Sequence, residues 1–367
     1  MLFGLLALAV CFCSCSENVE SRYIPRWNIV FDVQPEGETV ASKVGDISFV
    51  CLKSHSDAML YGVDKIRFCD GRIYLADLRS HRIAVYDMKG NFLADVSRKG
   101  GGPGEFLEIR NFAVDDSFIY VIDNYRHKLL VYDGTDGEFE RDMDLPVVAD
   151  DVERLDNGDF LVASIPQWGA VNMKQTNHLL FVLDENLEIK ERLLEYSRKE
   201  KVAFAPLSLF SRDEESIYFS SLLFDGFTVI PRNYPDSGHW HVGIEFPRPI
   251  PLGHRGDNRM IAQERYHYLA DTPVCCGDYI SLEISDGEYI CDYLYDVRDS
   301  TLSANSQTSA YNYLDFPIGS IQRQFVSYLD DYSYYQELVA HGFTRADESV
   351  ESHLKNEGAV LLFYSMR

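Results

Sequence analysis

Basic residues are scarce in this chain. Lys plus Arg number 34 against 58 Asp plus Glu, a formal charge of -24. A field of that sign repels phosphate backbones, and no long basic run offsets it, so general nucleic-acid binding is excluded. No CxxC pair occurs, which leaves zinc ribbons and thioredoxin-like redox motifs without support. Also missing are HExxH, a nucleophile elbow and a catalytic Cys-His signature. Carboxylates are so abundant that no general acid–base pair stands out. Beyond the first residues, no apolar run is long enough to span a bilayer.

What the chain has is aromatic side chains and length. Its 367 residues include 23 Tyr and 22 Phe, and hydrophobic residues make up 46%. Aromatic and β-branched side chains pack well on pleated strands. An all-β domain of this size is often a single unit.

Residues 1–14, MLFGLLALAVCFCS, form an apolar, uncharged run that meets the polar Ser16-Glu17-Asn18. That is the h-region of an export signal. Phe12-Cys13-Ser14-Cys15 resembles a bacterial lipobox: a bulky apolar residue, two small ones, then the acylated cysteine. The resemblance implies cleavage before Cys15 and its lipidation. The other five cysteines are Cys51, Cys69, Cys275, Cys276 and Cys291, an odd number, so at least one has no partner within the chain. Cys275 and Cys276 are adjacent, and strand neighbours point to opposite faces, so they are not expected to bridge each other.

An internal repeat organises the rest. Ile73-Tyr74-Leu75-Ala76-Asp77 recurs as Ile119-Tyr120-Val121-Ile122-Asp123, 46 residues on. Arg82 to Asp87 recurs at the same spacing as Lys128 to Asp133. Each unit reads as short apolar strands joined by turns carrying Asp-Gly, Lys-Gly or Asn-Gly. Strands that are apolar throughout are covered on both faces, as blades are by neighbouring blades. Weaker copies begin near Asp156, Ser216 and Asp278. A sixth unit is expected from both ends of the chain, with Ile47 to Leu52 paired to Ala359 to Ser365, which would remove an open edge. Between 330 and 356 the pattern breaks: Tyr334 to Ala340 lacks turn residues and Gly342 sits at a helix C-cap position. A helical pair is expected there, its second helix within Ala346 to Lys355.

Gly102-Pro103-Gly104-Glu105-Phe106, Ile109, Phe112-Ala113-Val114, Ile119 to Asp123 and Lys128 to Tyr132 look like an NHL-type repeat. Gly358 to Tyr364 resembles the closing strand of the six-bladed β-propeller lipoproteins of Gram-negative bacteria. The resemblance implies an all-β, six-bladed β-propeller of four-stranded antiparallel blades, with a short helical insertion before the last strand. The chain then divides into a signal and lipobox (1–15), an N-terminal linker and first strand (16–45), and one propeller closed by both termini (46–367). It also implies an exported outer membrane lipoprotein, touching the membrane only through its lipid.

Three stretches are candidate sites. Gly100 to Glu105 could present backbone N–H groups to an anion. It lacks a Gly-Lys-Ser/Thr and a following helix, so a tight blade connector fits better. His239-Trp240-His241 puts two imidazoles on one strand face, but no third ligand is signalled, so no metal is expected. The tips Asp77-Leu78-Arg79-Ser80-His81-Arg82 and Asp123-Asn124-Tyr125-Arg126-His127-Lys128 repeat a basic pattern, with Arg98, Lys99 and Arg110 nearby. On a propeller these tips share a face with the blade connectors. Arg79, His81, Glu105, Arg110, Arg126 and His127 are therefore the candidate ligand-binding residues. The competing expectation is that Asp77 and Asp123 merely cap the turns.

The expectation is a non-catalytic binding module for a glycan, peptide or envelope protein, its ligand anionic or hydroxyl-rich. No cofactor is called for. The alternative is a propeller-class enzyme (lactonase, lyase or glycoside-active) with its site at the central channel.

Overall fold

The computed structural model describes residues 23–33, 40–53, 60–166, 177–197, 199–304 and 317–367. Cys15 and the apolar leader lie outside the described residues.

Six sheets radiate from a common axis. The first blade runs Lys65–Cys69, Arg72–Asp77, Arg82–Asp87 and Phe92–Val96 from inside to outside. The second runs Asn111–Val114, Phe118–Asp123, Lys128–Asp133 and Phe139–Asp144. The third comprises Asp151–Arg154, Phe160–Ala163, His178–Leu183 and Ile189–Glu195. The fourth comprises Phe210–Arg212, Ser216–Ser220, Gly226–Pro231 and Trp240–Glu245. In the fifth, Tyr279–Asp286, Ile290–Asp296 and Thr301–Ala304 follow an inner position filled by two short segments, His267–Leu269 and Val274–Cys276. The sixth combines Gly319–Ile321, Gln324–Leu329 and Ala359–Met366 with Val44–Leu52 from the other end of the chain.

Composition by strand position follows burial. Arg72–Asp77 is buried at every residue after its first, because both its faces meet neighbouring blades. The outer Phe139–Asp144 has no fully buried residue and carries the charges. Adjacent residues serve opposite interfaces: Tyr74 and Ala76 pack towards the second blade, Ile73 and Leu75 towards the sixth. Cys275 and Cys276 divide in the same way between the fourth- and sixth-blade interfaces. All five cysteines among the described residues are free thiols.

The turns carry the chemistry their geometry demands. Asp70 and Gly71 both take positive φ, 46° and 68°, as a tight hairpin requires. At Gly90 (φ 76°) a Cβ would fall 2.1 Å from the Cys51 carbonyl oxygen, so only glycine lets the first blade meet the sixth there.

The ring closes as the terminal strands indicate. Ile47 pairs with Tyr364, Phe49 with Leu362 and Leu52 with Ala359. The helical pair is present as Tyr332–Ala340 and Glu348–Lys355, capped by the Asp331 and Asp347 carboxylates. Tyr335, Leu338, Val350 and Leu354 seat it on the outside of the sixth blade. Gly342 follows the first helix with φ 98°.

Two features go beyond the sequence reading. The strand Pro25–Val30, within the stretch read as linker and first strand, joins the fourth blade as a fifth, parallel strand beside Trp240–Glu245. Trp27 stacks on Tyr295 of the fifth blade, centroids 5.9 Å apart. A helix, Asn258–Glu264, also lies between the fourth and fifth blades.

Candidate binding site at the channel mouth

The six inner strands neighbour one another in a ring around the axis. Alternation on such a strand turns every second side chain into the channel. Lys65 and Arg67 point inward on the first blade, Asp151 and Glu153 on the third, and all four are buried. Lys65 Nζ lies 2.6 Å from Asp151 Oδ1 and 3.2 Å from Glu153 Oε1. Arg67 pairs with the same Glu153 and donates to the Phe210 carbonyl at 2.8 Å. Arg212 of the fourth blade approaches Glu153 Oε2 at 3.4 Å. Asp151 Oδ2 accepts from the backbone N–H groups of Leu209 and Phe210 at 2.8 and 2.9 Å. Three cations against two carboxylates thus form a plug between three blades.

Burial alone would raise the Glu153 carboxyl; Arg67, Lys65 and Arg212 instead hold it down at about 2. Burial lowers Lys65, and Asp151 and Glu153 oppose that. The sequence carried a signal for the plug that the reading above passed over. Lys65-Ile66-Arg67 and Asp151-Val152-Glu153 are charged-apolar-charged triplets of opposite sign, each opening an otherwise apolar blade.

On the face bearing the connectors and the tips of the second and third strands, the plug floors a pocket of about 290 Å³. Arg79, Ser208, Asp271 and Thr272 line it with Lys65 and Arg67. Arg79 stands 81% exposed at the rim, 3.8 Å from Asp64. Burial, helped by Glu283 and opposed by the Thr272 N–H, pushes the Asp271 carboxyl up to about 7.

The other candidate residues lie on this same face but spend hydrogen-bonding groups internally. His81 Nδ1 accepts the Ile109 N–H at 3.2 Å. Arg126 donates to the Glu105 carbonyl at 2.5 Å. Arg110 reaches Asp150 Oδ1 at 3.2 Å through Nε and Nη2. The Glu105 carboxylate accepts the Gly102 N–H at 2.7 Å, folding the glycine-rich loop onto itself as a connector. His127 is exposed, with φ 53°. The repeated aspartates cap turns in a repeated way. Asp77 accepts from Ser80 and Tyr61 N–H, and Asp123 from Arg126 and Leu107 N–H. One oxygen fixes the tip, the other the incoming connector.

His239 and His241 do share a face, with centroids 6.4 Å apart, and His241 Nδ1 lies 2.9 Å from Thr228 Oγ1. No group of three His, Cys, Asp or Glu among the described residues is arranged to hold a metal ion. No helix among them is long and apolar enough to cross a membrane.

A family model described as 6-bladed beta-propeller (DUF5128) matches residues 20–226. The chain belongs to this family. Among solved structures, this family member is similar to a candidate exported protein from Bacteroides fragilis. The two share 17% identity with a TM-score of 0.74, over 93% of this chain and 99% of that one. It is also similar to a DUF4221 family member from Bacteroides vulgatus, at 11% identity and a TM-score of 0.53, over 88% and 97% of the two chains. At these identities the likeness is one of fold. No curated protein matches the chain.

Proposed function

We propose that this propeller is a lipid-anchored envelope protein that binds a carboxylate- or hydroxyl-rich ligand, a glycan or peptide, at the connector-side mouth of its channel. The observation that carries the reading is the plug. It engages Asp151 and Glu153 in ion pairs and leaves a polar bowl lined by Ser208, Asp271 and Thr272 beneath an exposed Arg79. A bowl of this kind orients hydroxyls and offers one planar fork to a carboxylate. Arg126 and His127 stand on the neighbouring tip and extend the same basic rim, with His81, Glu105 and Arg110 shaping the loops beneath it. Titrating acidic oligosaccharides and acidic peptides into the mature protein by calorimetry tests this. Arg79→Ala should weaken binding roughly ten-fold, as loss of a charge-assisted hydrogen bond does. Binding indifferent to both Arg79→Ala and Arg126→Ala would move the site elsewhere.

A second reading rests on Asp271. A carboxyl that titrates near neutrality at the edge of this bowl is what a general acid or base requires. If the propeller is an enzyme of the lactonase, lyase or glycoside-active kind, Asp271→Asn should abolish turnover and spare ligand binding.

A further inference from the structure

The opposite face of the disc carries a larger cleft, about 740 Å³, which lies within the range of small-molecule sites. It opens among the turns Asp115 to Ser117, Leu155 to Gly158 and the Arg232 turn, and its floor reaches Arg212 of the plug. Its walls pair guanidinium groups with rings. Arg154 lies 4.0 Å from the Phe160 centroid and 4.9 Å from that of Tyr120. Arg141 lies 5.3 Å over Phe118.

The arginines are under-used. Arg154 Nε and Nη1 are buried and make no hydrogen bond among the described residues; the same holds for Arg232 Nε. Arg154 is ion-paired with Asp115, whose Oδ2 lies 3.3 Å from its Nε without hydrogen-bond geometry. Asp115 already accepts from Ser117, Phe118 and the Tyr120 hydroxyl. Asp156 is engaged by Arg232 Nη2 at 2.8 Å. Arg141 is exposed and makes no ion pair among the described residues. Asp116 and Glu185 stand exposed on the rim turns. A desolvated guanidinium with unfilled donors raises the free energy of the empty cleft, and an anion reaching it would lower it.

We infer that this cleft binds a small aromatic carboxylate, its carboxylate between Arg141 and Arg154 and its ring against the partly exposed Phe118. The fork of an arginine matches a carboxylate in plane, and a ring face matches a flat ligand. This site is separate from the connector-side bowl, which lies beyond the plug.

Salicylate titrated into the full mature chain by calorimetry tests the assignment, with inorganic phosphate as the companion probe. Salicylate should bind, and phosphate should bind at least ten-fold more weakly, since it offers no ring. Arg141→Gln should cut salicylate affinity roughly ten-fold. It leaves the melting temperature unchanged, because the residue is exposed. Phe118→Leu should weaken salicylate and not phosphate. Arg79→Ala, on the far face, should change neither. Salicylate that fails to bind, or that binds Arg141→Gln as well as the parent, overturns the site. Equal affinity for the two probes overturns the ring contact, and loss with Arg79→Ala places the anion in the other mouth.

Discussion

Lys65 Nζ meets Asp151 Oδ1 at 2.6 Å across the axis of the propeller, with both side chains almost wholly removed from solvent. The two residues are 86 apart in sequence and stand on the innermost strands of non-adjacent blades. Charges so deeply buried are tolerable only as a set, because each neutralises the desolvation cost of another.

Lys65→Met should therefore cost about 3–5 kcal/mol, the range for stranding a partner of a buried ion pair. Urea denaturation of the purified protein measures it. A loss under 1 kcal/mol, the size of an exposed pair, would show that the plug is hydrated rather than sealed.

Acid should attack the same cluster. The Glu153 carboxyl falls from an ordinary 4.5 to about 2 on folding. A depressed carboxyl adds stability that is fully present above its unfolded value and is lost as pH falls towards the folded one. The expected loss is on the order of 3 kcal/mol between pH about 4.5 and 2. Glu153→Gln should be less stable than the parent at neutral pH, and that difference should shrink below pH 4. Parallel stability curves for the two proteins across that window would contradict the assignment.

The ring depends on its last strand. Deleting residues 359–367 removes the partner of both Val44–Leu52 and Gln324–Leu329 and opens a buried edge. The truncated chain should lose its cooperative thermal transition or melt far below the parent. An unchanged melting temperature would mean that the blades hold without closure.

Lipidation at Cys15 is tested by fractionation. Cys15→Ala should move the protein from the membrane to the soluble fraction, since paired acyl chains supply the anchoring. Fatty-acid labelling that persists in the variant would assign the anchor to another residue.

The local half of this structure was written in the sequence. Ile73 to Asp77 and Ile119 to Asp123 announce blade strands because neighbours in the chain decide strand length, turn type and alternation. Asp70-Gly71 announces its turn for the same reason. The terminal strands could be matched because a ring of sheets leaves only one way to remove its open edge. The helical pair was legible from missing turn residues and a C-cap glycine.

Contacts between distant residues were decided only by the tertiary structure. Nothing near Pro25–Val30 says that it will lie parallel to Trp240–Glu245, because that seat is made by the exposed edge of a blade formed two hundred residues later. Arg79 and Arg126 read alike as basic tips. Yet Arg79 stands exposed at a pocket rim, 3.8 Å from Asp64, while Arg126 turns back to the Glu105 carbonyl. Lys65, Asp151 and Glu153 read as ordinary charges on short strands, and Arg154 as one arginine among many. Their burial, pairing and unfilled donors arise when six inner strands converge on one axis. The alternation of charge in the two triplets is local, but which triplet meets which is not, since the partner stands on another blade.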